Sequence, residues 1–237
     1  MFIRPRTSVD ITQIPHVMRV NDWVIAANLL EQWFNNPAND NIPPDTTTVK
    51  MDDWVLQFRR VRRVYEQMLS QKIWLNDKAQ IVVVKMLQQQ GKLTDTETEF
   101  GDFTKPVPLI NDDYIQYRTV GSIWDPTDDL FASLGRLTLR IAIKGVVKPI
   151  ATGHAIFIQE LGIYSRDSFD FKGSQHLGYW NMNNNYGGKN FFRGSKVRNA
   201  DFREWSKQHN RGGNYLVFSD LKTIKLKGDG DVFETTI

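Results

Sequence analysis

The chain has 237 residues and 27.5 kDa, of which 41% are hydrophobic, 24% charged and 12% aromatic, with a mean hydropathy of −0.43. That is enough for one well-buried core or two small domains, and it excludes a chain disordered along most of its length. The net charge is +3 with a pI of about 9.0, and cysteine is absent, which removes disulfides, thiolate metal sites and cysteine nucleophiles together.

The start, Met1-Phe2-Ile3-Arg4-Pro5-Arg6, lacks the apolar core of a signal peptide, and no apolar run nears the ~18–20 residues that span a bilayer. The expectation is a protein made in the cytoplasm. A cysteine-free chain is indifferent to redox compartment, so it can also work in an oxidising periplasm. Residues 1–120 carry 14 Lys/Arg against 15 Asp/Glu, and residues 121–237 carry 16 against 12. The basic excess sits in the second half. It suits an anionic substrate or an anionic membrane surface and is too weak to single out nucleic acid.

Residues 1–20 read as an irregular start holding Pro5 and Pro15. Val20 to Phe34 has helical apolar spacing, with Asn21 as its cap. Asn35 to Pro44 is a turn-rich linker. Met51 to Ser70 is the strongest helix pattern. Trp54, Val55, Phe58, Val61, Val64, Tyr65, Met68 and Leu69 form one stripe, flanked by Arg59, Arg60, Arg62 and Arg63 as a solvated face or an anion-facing patch. Asn76 to Gln90 reads as a further helix ended by Gly91, although Ile81–Val84 also permits a strand.

After Pro106 and Pro108 the periodicity changes to short β-type runs. Leu137, Leu139, Ile141 and Ile143 alternate with polar residues over Gly135–Val147. Ala155–Tyr164, Tyr215–Phe218 and Thr223–Leu226 are further strand candidates. The expected fold class is α+β: a helical region over 1–110, then a β-rich region over 111–237 forming an antiparallel sheet or half-barrel. Asn181–Gly188 reads as a surface loop whose aromatic and amide side chains suit sugar binding, or simply as a mobile loop over a packed Trp180.

The four histidines, His16, His154, His176 and His209, form no HExxH or other close pair, and there is no GxSxG, Walker loop or GxGxxG. His209-Asn210-Arg211 is a fragment of an HNH nuclease motif without its remaining parts. One segment stands apart. In Ile163–Trp180, Asp167 and Asp170 lie three residues apart and His176 follows six residues on. Such a set can hold a hard divalent ion and position water near a phosphate, provided a bend brings the groups together. The ordinary reading is turn chemistry, with Asp and Ser bonding locally and His176 packed between Phe171 and Trp180.

Asp167, Phe169, Asp170, Phe171, Ser174, His176 and Gly178 resemble, in register, the signature of colicin M and its relatives: Asp-x-Tyr-Asp, five residues, His-Arg-Gly. The resemblance extends weakly to Leu134–Leu139 upstream and to Gly213–Phe218 and Ile224–Leu226 downstream. It covers about residues 120–230. The closer kinship it suggests is with relatives encoded beside type VI secretion genes. It implies a curved β-structure of colicin M catalytic type and a Mg²⁺-dependent phosphoesterase. The substrate implied is lipid II, cut between undecaprenyl and pyrophosphate at the inner-membrane surface, in the periplasm of a target cell. Asp170 would be the central carboxylate, Asp167 would share the metal, and His176 would be acid/base. Phe169 stands where the family has Tyr, and Leu177 where it has Arg, so the usual phosphate clamp is missing. One of Arg166, Arg193, Arg198, Arg203 and Arg211 would have to replace it in this reading, with Phe169, Arg166, Arg193 and Arg211 as substrate-binding candidates. The N-terminal region would be a docking or translocation module. An immunity protein and a secretion-apparatus carrier would be partners, and nucleic acid would not. Two alternatives stand beside this one: a degenerate colicin M-like adaptor of a secretion system, and a nuclease effector.

Overall fold

The computed structural model describes residues 9–39, 41–190 and 192–236; the Met1–Arg6 segment read for a leader lies outside them. The chain is α+β. Its helices and strands run α1 (Ile14–Val20), α2 (Val24–Asn35), β1 (Asp45–Val49), α3 (Arg59–Ser70), α4 (Asp77–Gln89), β2 (Thr98–Phe100), α5 (Val107–Ile110), β3 (Gln116–Val120) and α6 (Asp129–Ser133). There follow β4 (Leu137–Ile150), β5 (Gly153–Phe169), β6 (His176–Asn181), β7 (Tyr186–Gly188), β8 (Ser195–Arg198), α7 (Asn199–His209), β9 (Tyr215–Ser219), β10 (Lys222–Lys225) and β11 (Asp231–Thr235).

Local chemistry explains where these elements depart from the apolar pattern. The segment read as irregular contains α1, because Pro15 sits in the first turn, where a missing N–H breaks no helical bond. The expected helix from Val20 to Phe34 is broken. Asn21 closes α1, with its N–H returned to the carbonyls of Val17, Met18 and Arg19, and Asp22 takes the left-handed conformation. Asn21 is thus a C-cap, and α2 begins only at Val24. The strong pattern from Met51 is also divided. Val55–Gln57 is a 3-10 turn, Phe58 is extended, and α3 starts at Arg59. Trp54 and Phe58 meet edge to face at 5.2 Å instead of continuing a helical stripe. Arg59, Arg62 and Arg63 are exposed, while Arg60 is half-buried and lies over the Phe58 ring. The β-branched run Ile81–Val84 is helical in α4, where Asn76 Oδ1 accepts the Ala79 N–H at 3.0 Å as the cap.

The chain divides into two compact units, each built from separated segments. The first comprises the segment ending at Thr48, Gly121–Arg136 and Asp167–Val217. It holds α1, α2, α6, α7 and a three-stranded sheet in the order β7-β6-β8. Its core is aromatic. Trp33, 1% exposed, meets Phe34, Phe171, Phe202 and Trp205 at ring distances of 4.7 to 6.0 Å, and Phe171 stacks flat on Phe202 at 3.9 Å. The buried Trp33 Nε1–H donates to Asn214 Oδ1 at 2.9 Å, so the polar tip is satisfied.

The second unit comprises Val49–Val120, Leu137–Arg166 and the segment from Phe218 onward. Helices α3, α4 and α5 lie here with the long β4–β5 hairpin. Leu137, Leu139, Ile141 and Ile143 are all buried, as their alternation requires. β2 and β3 pair antiparallel with β4, and β10 and β11 with β5. These strands belong to a mixed eight-stranded sheet of order β1-β9-β5-β4-β2. One extra residue, Gln159, bulges from β5, where Lys144 faces Glu160 but Gly145 faces Ile158. The bulge needs Gly145, because a Cβ there would lie 1.8 Å from the Phe157 carbonyl oxygen.

Candidate functional site

The segment carrying Asp167, Asp170 and His176 lies at the end of β5 and the start of β6. β5 ends at Phe169, so Asp170 is the first residue past the strand. Phe169 and Phe171 are buried among Tyr215, Trp33 and Phe202. The two rings fix the turn from the inside. Phe169, expected to bind substrate, is thus a core ring.

The turn is held from α7. Arg203 Nη1 donates to the carbonyls of Phe171 at 2.7 Å and Gly173 at 2.6 Å, and Asn199 Nδ2 donates to the carbonyl of Lys172. Gly173, at φ +74, turns the backbone. Asp170 bonds within this turn. Its Oδ2 accepts the Ser168 hydroxyl at 2.8 Å and its Oδ1 the Lys172 N–H at 3.0 Å. That is the Asx-type turn chemistry expected of an Asp here.

His176 is exposed at the head of β6. Its Nε2 lies 2.9 Å from the Gly178 carbonyl oxygen, which can only accept, so Nε2 carries the proton and Nδ1 is the acceptor nitrogen of the neutral ring. The ring edge meets Tyr179 at 4.6 Å. Across the sheet, Arg198 is the strand partner of His176 and Lys196 that of Tyr179, with a bulge between the two pairs. Desolvation is the main cause that lowers the His176 pKa below its ordinary value. Lys196 and Arg198 lower it further, against the opposing Gly178 bond.

Sequence reasoning did not single out Lys196. The sign was present in Ser195-Lys196-Val197-Arg198, where a buried Val197 between two exposed cations has strand periodicity. β7 was read as loop, although only Met182–Asn185 turns; Tyr186–Gly188 pairs with β6. Trp180 is buried, with its Nε1–H donated to the Leu177 carbonyl at 3.0 Å.

The remaining candidates are dispersed. Arg193 is exposed with its guanidinium 4.9 Å over the Tyr186 ring. Arg211 bonds Asn35 Oδ1 at 2.7 Å and lines a separate cavity of about 340 Å³ with His16, Arg19 and Trp205. Arg166 lies within β5 opposite Thr138, whose hydroxyl donates to its carbonyl at 3.0 Å; its Nε is buried without a hydrogen-bond partner among the described residues. His209 stacks on Trp205 at 4.5 Å and bonds the Trp205 carbonyl, which accounts for it as the end of α7.

Among the described residues no group of three or more His, Asp or Glu is placed to hold a metal ion. Mg²⁺ takes one or two carboxylates and completes its shell with water and substrate phosphates. Asp167 and Asp170 are the pair this segment offers, and Asp170 would have to exchange its Ser168 and Lys172 bonds to serve. No helix among the described residues is long and apolar enough to cross a membrane.

No curated protein and no solved structure matches the chain significantly. A family model, a family of unknown function designated DUF6402, matches residues 9–191 and 189–232, so the chain is a member of that family.

Proposed function

We propose that the chain is a phosphoesterase acting on a lipid-linked pyrophosphate of the lipid II type. In this reading His176 is the acid–base group and Lys196 and Arg198 are the phosphate clamp. The observation that carries it is the pairing of an exposed imidazole with the exposed Arg198 across the sheet, while the exposed Lys196, opposite Tyr179, also acts on the His176 pKa. The resemblance to colicin M asks for a cation beside this histidine, and Leu177 provides none. A lowered His176 pKa keeps the ring neutral near pH 7, with Nδ1 free to take a proton. His176 would take the proton of the attacking water and return it to the lipid oxygen as its bond to the pyrophosphate breaks. Lys196 and Arg198 would neutralise the charge that develops on the phosphate oxygens. Asp167 and Asp170 would share Mg²⁺ with the substrate's own oxygens. Such a protein would act as a secreted effector in the periplasm of a target cell, with an immunity protein in its producer.

The test is periplasm-directed expression in a Gram-negative host, with release of pyrophosphorylated disaccharide-peptide from lipid II measured with and without Mg²⁺. Wild type should lyse cells and release product, while His176→Ala and Lys196→Ala/Arg198→Ala should do neither. Lysis that survives His176→Ala overturns the assignment.

A second reading is a non-enzymatic adaptor on the same scaffold. The engagement of both Asp170 oxygens within its own turn favours it. It predicts neither lysis nor product release from the wild-type chain.

A further inference from the structure

The unit that carries His176 has a second exposed feature. Residues 122–125 form a turn fixed by its own polar groups. Asp125 Oδ2 accepts the Ser122 N–H at 2.9 Å, and Ser122 Oγ accepts the Trp124 N–H at 3.2 Å. Lys189 Nζ donates to the Ile123 carbonyl at 2.8 Å and to the Asp125 carbonyl, and lies 4.2 Å over the Phe131 ring. The backbone is pinned on both sides, yet Ile123 is 73% and Trp124 87% exposed. Three residues beyond Lys189, Phe192 is 83% exposed. Lys189 therefore ties together two loops that hold three of the most exposed large apolar side chains of the protein.

The charge of the segments that carry them is asymmetric. Segments 121–136 and 189–198 hold five Lys/Arg and three Asp. All three carboxylates accept backbone N–H groups: Asp125 from Ser122, Asp128 from Phe131, and Asp129 from Ile25 and Ala26. Arg193, Lys196 and Arg198 are exposed. The apolar area of three such side chains is on the order of 500 Å², below the ~800 Å² per partner of a stable protein interface. A pinned turn with an exposed indole, tied by Lys189 to a segment that carries an exposed phenyl ring and exposed cations, suits the bilayer interface, where the aromatic body is buried and basic groups meet phosphates.

We propose that this two-loop tip docks the protein on an anionic phospholipid surface. Ile123, Trp124 and Phe192 enter the interfacial layer, and Arg193, Lys196 and Arg198 meet the headgroups. The inference concerns bare phospholipid; it shares Lys196 and Arg198 with the proposed pyrophosphate clamp, and its variants at Ile123 and Trp124 leave that clamp in place.

The test is sedimentation of the full chain with vesicles of phosphatidylcholine alone or of equal parts phosphatidylcholine and phosphatidylglycerol. Wild type should bind the anionic vesicles, release with salt, and bind phosphatidylcholine alone far more weakly. Ile123→Ser/Trp124→Ser should weaken binding about tenfold or more while leaving the thermal unfolding curve unchanged. Trp124→Phe should still bind, but with less quenching of tryptophan fluorescence by brominated lipid. Equal binding by the double variant, or no binding by wild type, overturns the proposal. A concentration-dependent dimer in light scattering that the double variant abolishes, without vesicle binding, assigns the tip to a protein contact instead and likewise overturns it.

Discussion

Replacing Asp129 by alanine should strip α2 of its N-terminal cap. The first N–H groups of a helix have no partner within it. The residue preceding α2 is Trp23, which has no side-chain oxygen to offer. Asp129, at the start of α6, fills the gap: Oδ2 accepts the Ile25 N–H at 3.1 Å and Oδ1 the Ala26 N–H at 2.8 Å. Both bonds are part-buried and both are to a carboxylate. Hydrogen bonds to charged groups contribute about 1.5–3 kcal/mol each, and a charge at a helix N-terminus adds a few tenths to about 1 kcal/mol. Water will reach some of the freed N–H groups, so the expected loss is about 2–4 kcal/mol. Asp129→Asn keeps one acceptor and should lose about half as much. Urea unfolding followed by circular dichroism measures both, with an unchanged m value. The α6 helix keeps its own cap, since Asp128 Oδ1 accepts the Phe131 N–H at 2.9 Å. A loss below about 0.5 kcal/mol for Asp129→Ala would refute the capping argument.

Three further expectations can be measured directly. The His176 ring should titrate in NMR below an ordinary histidine, and Lys196→Ala should move its midpoint upward, since Lys196 helps to lower it. Because the folded pKa lies below the unfolded one, the unfolded chain binds more protons in between. His176 therefore contributes a small loss of stability as pH falls through the unfolded value, complete once the folded value is passed and absent above both. Tyr215→Phe removes the buried 2.7 Å bond from its hydroxyl to the Leu29 carbonyl and should cost about 1–2 kcal/mol in chemical denaturation. Gly145→Ala should destabilise by about 3 kcal/mol or prevent folding, because the added Cβ would lie 1.8 Å from the Phe157 oxygen; a variant as stable as wild type would mean that the bulge relaxes freely.

The sheet strands with one buried face were legible in the sequence because their alternation is a direct record of that face. Leu137 to Ile143 is the clearest case. Helix boundaries were less legible. The apolar spacing from Met51 to Leu69 looks continuous, but Phe58 turns extended and its ring meets Trp54 instead. Tertiary packing overrode the pattern there. Asn21 was read as starting a helix and in fact ends one, because the same amide can bond a preceding carbonyl, here that of Val17 at 2.7 Å. In the candidate site, spacing drew attention to Asp170 and His176 as neighbours in sequence. It could not show that α7, thirty residues further on, supplies Arg203 and Asn199 to hold the turn between them, or that β8 sets Arg198 across from His176 and Lys196 across from Tyr179. Those partners come from pairing across the sheet and from a helix the Gly/Asn-rich composition concealed.

The way α2 is satisfied also bears on how the chain can acquire its structure during synthesis. This helix lies in the first 35 residues, yet the bonds that complete it come from Asp129, Asn214 and Tyr215. The Trp33 indole and its acceptor lie 181 positions apart, so all of that interval is synthesised before the two meet. Until then the aromatic face of α2 has no Phe171 or Phe202 to cover it. Loop-closure entropy across such separations slows folding. Refolding from denaturant should accordingly be slow, and truncated chains that stop before residue 200 should leave the face of Trp33 and Phe34 open to chaperones or to aggregation.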